Sequence, residues 1–232
     1  EAFINAGVLG FKAFLTHSGI DDFPNSSIKD IEAIAAKLVK HDLPLLVHAE
    51  LDEKNKAQEE HAKEPYSYQH FLRSRPKEWE DDAIAALIKV SEKHKLRTHI
   101  VHLSSANSIA QLKAAKEKGT PISVETCPHY LFFNAETIVD ADPRFKCTPP
   151  IREKENNDQL WNALVDGTID FVVTDHSPAP PEIKSMKDGN LKEAWGGIST
   201  LQFELPIIWS MAMERDVSLE TISAWMSTKI AD

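Results

Sequence analysis

Five short apolar runs, each followed by polar residues and a stretch of helical period, constrain this chain more than any other feature. The runs are Val8–Leu15, Pro44–His48, Thr98–Leu103, Ile122–Thr126 and Asp170–Thr174. Apolar character that is continuous rather than alternating predicts strands covered on both faces, as in a parallel sheet. Between them, Ile28–His41 repeats Ile28, Ile31, Ile34, Ala35 and Leu38 at helical spacing. Ser26 and Ser27 mark the start of that helix, and Asp30 sits in its first turn. Asp81–His94 and Asn107–Lys118 keep the same period, the second stopped by Gly119. Asn156–Val165, Leu201–Glu214 and Leu219–Met226 complete the helical set.

Strand and helix in repeated alternation predict a parallel sheet with helices outside it. An open doubly wound sheet and a (β/α)8 barrel both satisfy that pattern. The strand ends favour the barrel. Lys12 lies within the first strand, His48 and His102 close the second and third runs, and Asp175 follows the fifth. Reactive groups spread over the ends of many strands suit a shared barrel mouth. A doubly wound sheet gathers its chemistry at one switch point, usually beside a glycine-rich phosphate loop. No G-x-G-x-x-G and no G-K-[ST] occurs in the sequence. A whole barrel takes roughly 250 residues, so five or six strands predict a partial one. The opening at Glu1, almost on a core strand, adds the expectation of a fragment, with residues 1–232 forming one barrel domain.

Composition removes several classes of function. With 42% hydrophobic and 27% charged residues the chain is not disordered. A net charge of −10 without any basic block argues against a nucleic-acid partner. No run of about eighteen apolar residues predicts a membrane span. Cys127 and Cys147 are too few for a disulfide framework, and a cytoplasmic protein is expected. Two long polar loops, Glu50–Trp79 (with Glu59-Glu60) and Pro178–Lys192, would hang over the mouth.

Lys12 is flanked by apolar residues on both sides. It either snorkels to water or is buried with a depressed pKa, as a neutral amine able to form a Schiff base or a carbamate. Two histidines at equivalent strand ends, His48 and His102, are natural metal ligands. Alternation points His99, three residues earlier, to the opposite face. Asp175 either caps a turn or serves as a ligand and proton shuttle. His41, His61, His70 and His94 read as solvated. His129 and His176 flank motif residues, in a structural or ligand-orienting role. Cys127 and Cys147 read as packing residues. Arg152 either pairs with a carboxylate or braces its own loop.

Six segments then carry a resemblance. Gly10-Phe11-Lys12-Ala13-Phe14-Leu15, Val47-His48-Ala49-Glu50, His99-Ile100-Val101-His102-Leu103-Ser104-Ser105, Glu125-Thr126-Cys127-Pro128-His129-Tyr130-Leu131, Lys146-Cys147-Thr148-Pro149-Pro150-Ile151-Arg152 and Thr174-Asp175-His176-Ser177-Pro178 occur in this order. Together they resemble the cyclic amidohydrolases, which include hydantoinase (dihydropyrimidinase), dihydroorotase and allantoinase. Ser18-Gly19-Ile20-Asp21-Asp22-Phe23-Pro24 and Ala194-Trp195-Gly196-Gly197-Ile198-Ser199-Thr200-Leu201-Gln202 are most similar to the allantoinase branch.

The resemblance implies a metal-dependent amidohydrolase barrel. It implies two divalent metal ions (Zn, or else Co, Ni or Mn) bridged by a carboxylated Lys12. His48 and His102 would bind one ion, and Asp175 would bind the other and act as acid/base. The implied reaction is hydrolysis of a small cyclic ureide, allantoin to allantoate in purine breakdown, by a hydroxide bridging the metals. Hydantoinases carry tyrosine five residues after the lysine; here His17 stands there and becomes a candidate for polarising the substrate. Backbone near Thr148 and Gly196 would hold the ring's edges. The family tends to homotetramers. Its first-strand His-x-His pair is missing among the ten histidines, and the β-sandwich built from both chain ends is missing too, which again predicts a fragment. The alternatives are hydantoinase or dihydroorotase activity, a Schiff-base lyase using Lys12, and a non-catalytic relative.

Overall fold

The first strand, β1 (Phe11–Phe14), pairs in parallel with β2 (Leu45–His48), and β3 (Thr98–Ile100), β4 (Ile122–Thr126) and β5 (Phe171–Val172) follow in strict chain order. The computed structural model describes residues 1–52 and 63–231; Glu59-Glu60 and His61, singled out above, lie outside the described residues. A doubly wound sheet reverses its strand order at the switch point, whereas here each strand adds beside the previous one. This is the arrangement of part of a (β/α)8 barrel, as the sequence predicts.

Helices form where the apolar period asks for them. After the short α1 (Ala2–Asn5), helix α2 (Ile28–Lys40) starts with a capping box in which the Ser27 side chain and Asp30 satisfy each other's backbone amides. Helices α3 (Tyr68–Ser74) and α4 (Lys77–His94) precede β3. Helix α5 (Ile109–Glu117) leads to β4, and α6 (Pro128–Phe132) and α7 (Lys154–Val165) lie between β4 and β5. Helices α8 (Glu204–Met213), α9 (Leu219–Ser223) and α10 (Lys229–Ala231) follow β5. No helix among the described residues is long and apolar enough to cross a membrane.

The core sits between the helices and the outer face of the sheet. Ile31, Ala35 and Leu38 from α2, Ile84 and Leu87 from α4, and Leu160 and Trp161 from α7 bury there with Leu45, Val47, Ile100, Val124 and Val172. Fully burying one such side chain contributes about 1.5–3 kcal/mol. Register sets the opposite, inner face. Lys12 pairs with Leu46, Leu46 with His99, and His99 with Ser123, a row that crosses four strands. Phe14 pairs with His48 one step nearer the strand ends.

Lys12 is exposed, as the first of its two sequence readings has it: β1 is the edge of the sheet and only β2 flanks it. One expectation changes here. His99 shares the inner face with Lys12 instead of opposing His102. Strand β3 ends at Ile100, and His102 adopts φ +45°, so strict alternation stops before it reaches His102.

Candidate metal centre and substrate cleft

His48 is the last residue of β2, buried against Phe14, whose ring lies 5.2 Å away. Its Nε2 lies 2.7 Å from Glu50 Oε2. Glu50 in turn accepts from Arg75 through Nε at 3.1 Å and Nη2 at 2.5 Å. Burial alone would raise the pKa of Glu50, but the Arg75 guanidinium and the His48 contact outweigh it and hold the carboxyl well below the usual range. With Nε2 committed to that carboxylate, Nδ1 of His48 faces Nε2 of His102 at 3.0 Å.

His102 stands just beyond β3. Burial, reinforced by His48 and Lys12, pushes its pKa well below the ordinary histidine value, so the ring is neutral and carries a free lone pair. The loop after it is fixed from α4: Glu80 accepts the amides of Ser104 at 2.7 Å and Ser105 at 2.8 Å. Burial pushes the Glu80 carboxyl up to about 8 against the pull of Arg152. His102 and Asp175 both hold left-handed backbone, at φ +45° and +43°. Such conformations cost non-glycine residues roughly 1–3 kcal/mol each and cluster at functional sites.

Asp175 follows β5. Burial raises its pKa, opposed by Lys12 and His48 and assisted by Glu125, so all three lie within its electrostatic reach. Lys12 Nζ sits 5.0 Å from the Phe14 ring centroid. His99 is drawn into separate bonds, to Ser123 Oγ at 2.8 Å and Glu125 Oε2 at 2.9 Å.

The residues expected at the substrate come together. His17, Thr148 and Gly196 line one cleft of about 450 Å³ with Arg75, Lys146 and Trp195. Arg75 therefore belongs to both the cleft and the His48–Glu50 pair. His17 is exposed, its Nδ1 taken by the Gly19 amide at 3.1 Å.

Several other residues depart from the sequence reading or sharpen it. His70 is buried rather than solvated, beside Arg73 on α3. His94 is half-buried, 3.8 Å from Glu32, whereas His41 is exposed as expected. His176 accepts the amides of Thr200 and Leu201 and so braces that loop. Cys127 and Cys147 are buried free thiols, both with raised pKa, Cys147 to about 12, which suits packing and not nucleophilic chemistry. Arg152 faces the Glu80 carboxylate at 4.0 Å, the first of its two expected roles, and donates to the Arg75 carbonyl at 2.6 Å, so it braces the turn before α4 and not its own loop. Glu50 and Arg75 are the functional residues that sequence reasoning passed over. Glu50 had a signal, an acid two residues after a strand-end histidine and on the same face.

The donor set can be tested against a metal. Two imidazole nitrogens 3.0 Å apart stand near the separation of adjacent tetrahedral ligands, about 3.3 Å for bonds of roughly 2.0–2.1 Å. A carboxylate on the far nitrogen of one ring is the usual orienting partner. The histidine pair fits a divalent ion. Among the described residues no three histidine, cysteine or acidic side chains converge as one ligand group, so further ligands would come from Lys12 or from movement of Asp175.

No family model matches the chain. The chain is 47% identical over 237 residues to allantoinase from Arabidopsis thaliana, covering 99% of itself and 47% of that protein. It is 44% identical over 228 residues to a mitochondrial allantoinase from Aquarana catesbeiana, covering 98% of itself and 47% of that protein. Among solved structures it superposes on L-hydantoinase (dihydropyrimidinase) from Arthrobacter aurescens with a TM-score of 0.90 at 25% identity, covering 99% of itself and 52% of that chain. The chain spans about half the length of the curated relatives it matches. By sequence and by fold it is similar to the cyclic amidohydrolases, with allantoinases among its relatives.

Proposed function

We propose that the protein hydrolyses a cyclic amide, opening allantoin to allantoate, with residues 1–232 as its catalytic barrel domain. One observation carries this reading: His48 Nδ1 and His102 Nε2 converge at 3.0 Å beside Lys12 and Asp175, in a chain 47% identical to an allantoinase.

His48 and His102 would hold one divalent ion, zinc by the chemistry of the donors. Lys12 as its carbamate would join that ion to a second, with Asp175 as a ligand. Bound metal supplies Lewis-acid polarisation of the ring carbonyl and lowers the pKa of water toward neutrality. Asp175, with its raised pKa, takes the proton of the attacking water and returns it to the ring nitrogen as the C–N bond breaks. Glu50, clamped by Arg75, keeps the His48 ring turned so that Nδ1 faces the site. Backbone at Thr148 and Gly196 holds the ring's N–H and C=O edges, and His17 polarises the substrate from the rim.

The partner is then a small neutral ureide, not nucleic acid or membrane, and the assembly a homotetramer. Two buried thiols suit a reducing compartment, the cytoplasm by this reading; the Aquarana catesbeiana relative is named mitochondrial. A second reading, hydantoinase, is favoured by the superposition on L-hydantoinase. The Schiff-base lyase has no support among these relatives.

The test assays the intact, zinc-loaded protein on allantoin, dihydrouracil and dihydroorotate, with and without a chelator. Turnover of allantoin that disappears with the chelator is expected. Dominant turnover of another ring would overturn the substrate. Chelator-resistant activity, trapped covalently by borohydride, would overturn the reaction class.

A further inference from the structure

We propose that Lys184 and Lys146 are positioning residues, two buried ammonium groups that shape the backbone of residues 192–197 and so present Gly196 to the cleft. This rests on the proposed reading of that cleft as the substrate site.

Lys184 Nζ donates to the carbonyls of Lys146 at 2.9 Å, Trp195 at 2.9 Å and Gly197 at 2.5 Å. An ammonium has three N–H donors, so none is left over. Lys146 Nζ donates to the carbonyls of Lys192 at 3.0 Å and Ala194 at 2.6 Å. The amides of the segment are also engaged: Ala194 with Asn190 at 3.0 Å, Trp195 with Ile183 at 2.8 Å, Gly197 with Lys146 at 3.0 Å. Gly196 enters none of these bonds. Among the described residues its N–H and C=O make no hydrogen bond, and Gly196 lines the cleft, where an ideal Cβ on it would lie 3.4 Å from Thr148 Oγ1. A free donor beside a free acceptor matches one amide edge of a ring such as hydantoin.

The charges tolerate this arrangement. Burial lowers both lysines to about 8, so they remain ammonium at neutral pH. Lys146 faces Lys184, Arg75 and Glu193, and Lys184 faces Cys147 and Asp142. Neither lysine forms an ion pair among those the described residues make, so their donors go to carbonyls. Methionine at either position would keep an apolar stem and remove the donors.

The experiment combines amide hydrogen exchange over residues 192–198 with steady-state kinetics on allantoin, using the intact protein and its Lys184→Met, Lys184→Gln and Lys146→Met variants. In the unsubstituted protein the Trp195 and Gly197 amides should exchange at least tenfold more slowly than that of Gly196. The methionine variants should lose this contrast and raise KM about tenfold, with kcat within threefold and bound zinc unchanged. Lys184→Gln, which keeps two N–H donors, should fall between. Equal exchange of the three amides in the unsubstituted protein overturns the proposal, even if no variant folds. So does a variant that loses kcat and zinc together at constant KM. Failure of the unsubstituted protein to turn over allantoin would instead overturn the function, and the exchange pattern would still decide the role of the lysines.

Discussion

The imidazole of His48 and the carboxylate of Glu50 meet at 2.7 Å, two residues apart and both buried. The contact chooses which nitrogen of His48 is free. Glu50→Gln keeps the shape but puts an uncharged amide against Arg75 and His48. Zinc affinity should fall roughly 10–100-fold, the usual effect of losing an orienting carboxylate. A competition titration against a chelator measures it, and unchanged affinity would count against His48 as a ligand.

Lys12 lies on the inner face, near enough to influence both His102 and Asp175. Lys12→Ala should reduce turnover by about 10²-fold or more, the scale of removing one group aimed at developing charge. Added acetate or propionate should recover part of it by standing in for the carbamate. Full activity without such an acid would remove Lys12 from the mechanism.

His129 gives a pH prediction. It is buried, neither ring nitrogen has a hydrogen-bond partner among the described residues, and burial lowers its pKa to about 3. A folded value below the unfolded one near 6.5 means that the unfolded chain binds the extra proton. Stability present above pH 6.5 is therefore lost as pH falls toward 3. At pH 5 the loss is about 2 kcal/mol. His129→Leu should lack this acid limb, so the variant gains on the parent by that amount between pH 7.5 and pH 5. Urea denaturation at the two pH values tests it, and parallel losses would show that His129 does not titrate on unfolding.

Neighbouring glycines should respond differently to alanine. An ideal Cβ on Gly197 falls 2.4 Å from Ser177 Oγ and 2.7 Å from the Ser177 carbonyl oxygen, where the backbone itself must move. On Gly196 the nearest atom is Thr148 Oγ1 at 3.4 Å. Gly197→Ala should cost roughly 1–3 kcal/mol as overpacking does, whereas Gly196→Ala should fold normally and raise KM. Calorimetry and kinetics on the pair separate the two effects, and equal melting temperatures would contradict the first.

Most of the scaffold can be read from local pattern. Ile122–Thr126 is the strand its apolar run predicts, and the Ser27–Asp30 cap begins α2 where the serines predict it. Other boundaries depend on partners. The apolar run before Phe11 pairs with no strand among the described residues, and Leu9 is 90% exposed. Helix α4 starts at Lys77 and not Asp81 because Pro76 holds an extended N-cap with Glu78 and Glu80 in the first turn. His48 and His102 are legible because each closes an apolar run. Alternation misplaces His99 because it assumes extended backbone, which His102 does not keep. Arg75 stands 25 residues from Glu50, and no spacing rule joins them; only the packing of α3 and α4 against the strand ends does.

Neighbour order in the sheet has a consequence for how the molecule forms. Every strand after the first docks on the one synthesised just before it. A chain emerging from the ribosome thus never waits for a distant segment to complete a pair. Each new unit is templated by its predecessor, the segment to be closed at each step holds one or two α-helices among the described residues, and because closure entropy grows only with the logarithm of length it varies little along the chain.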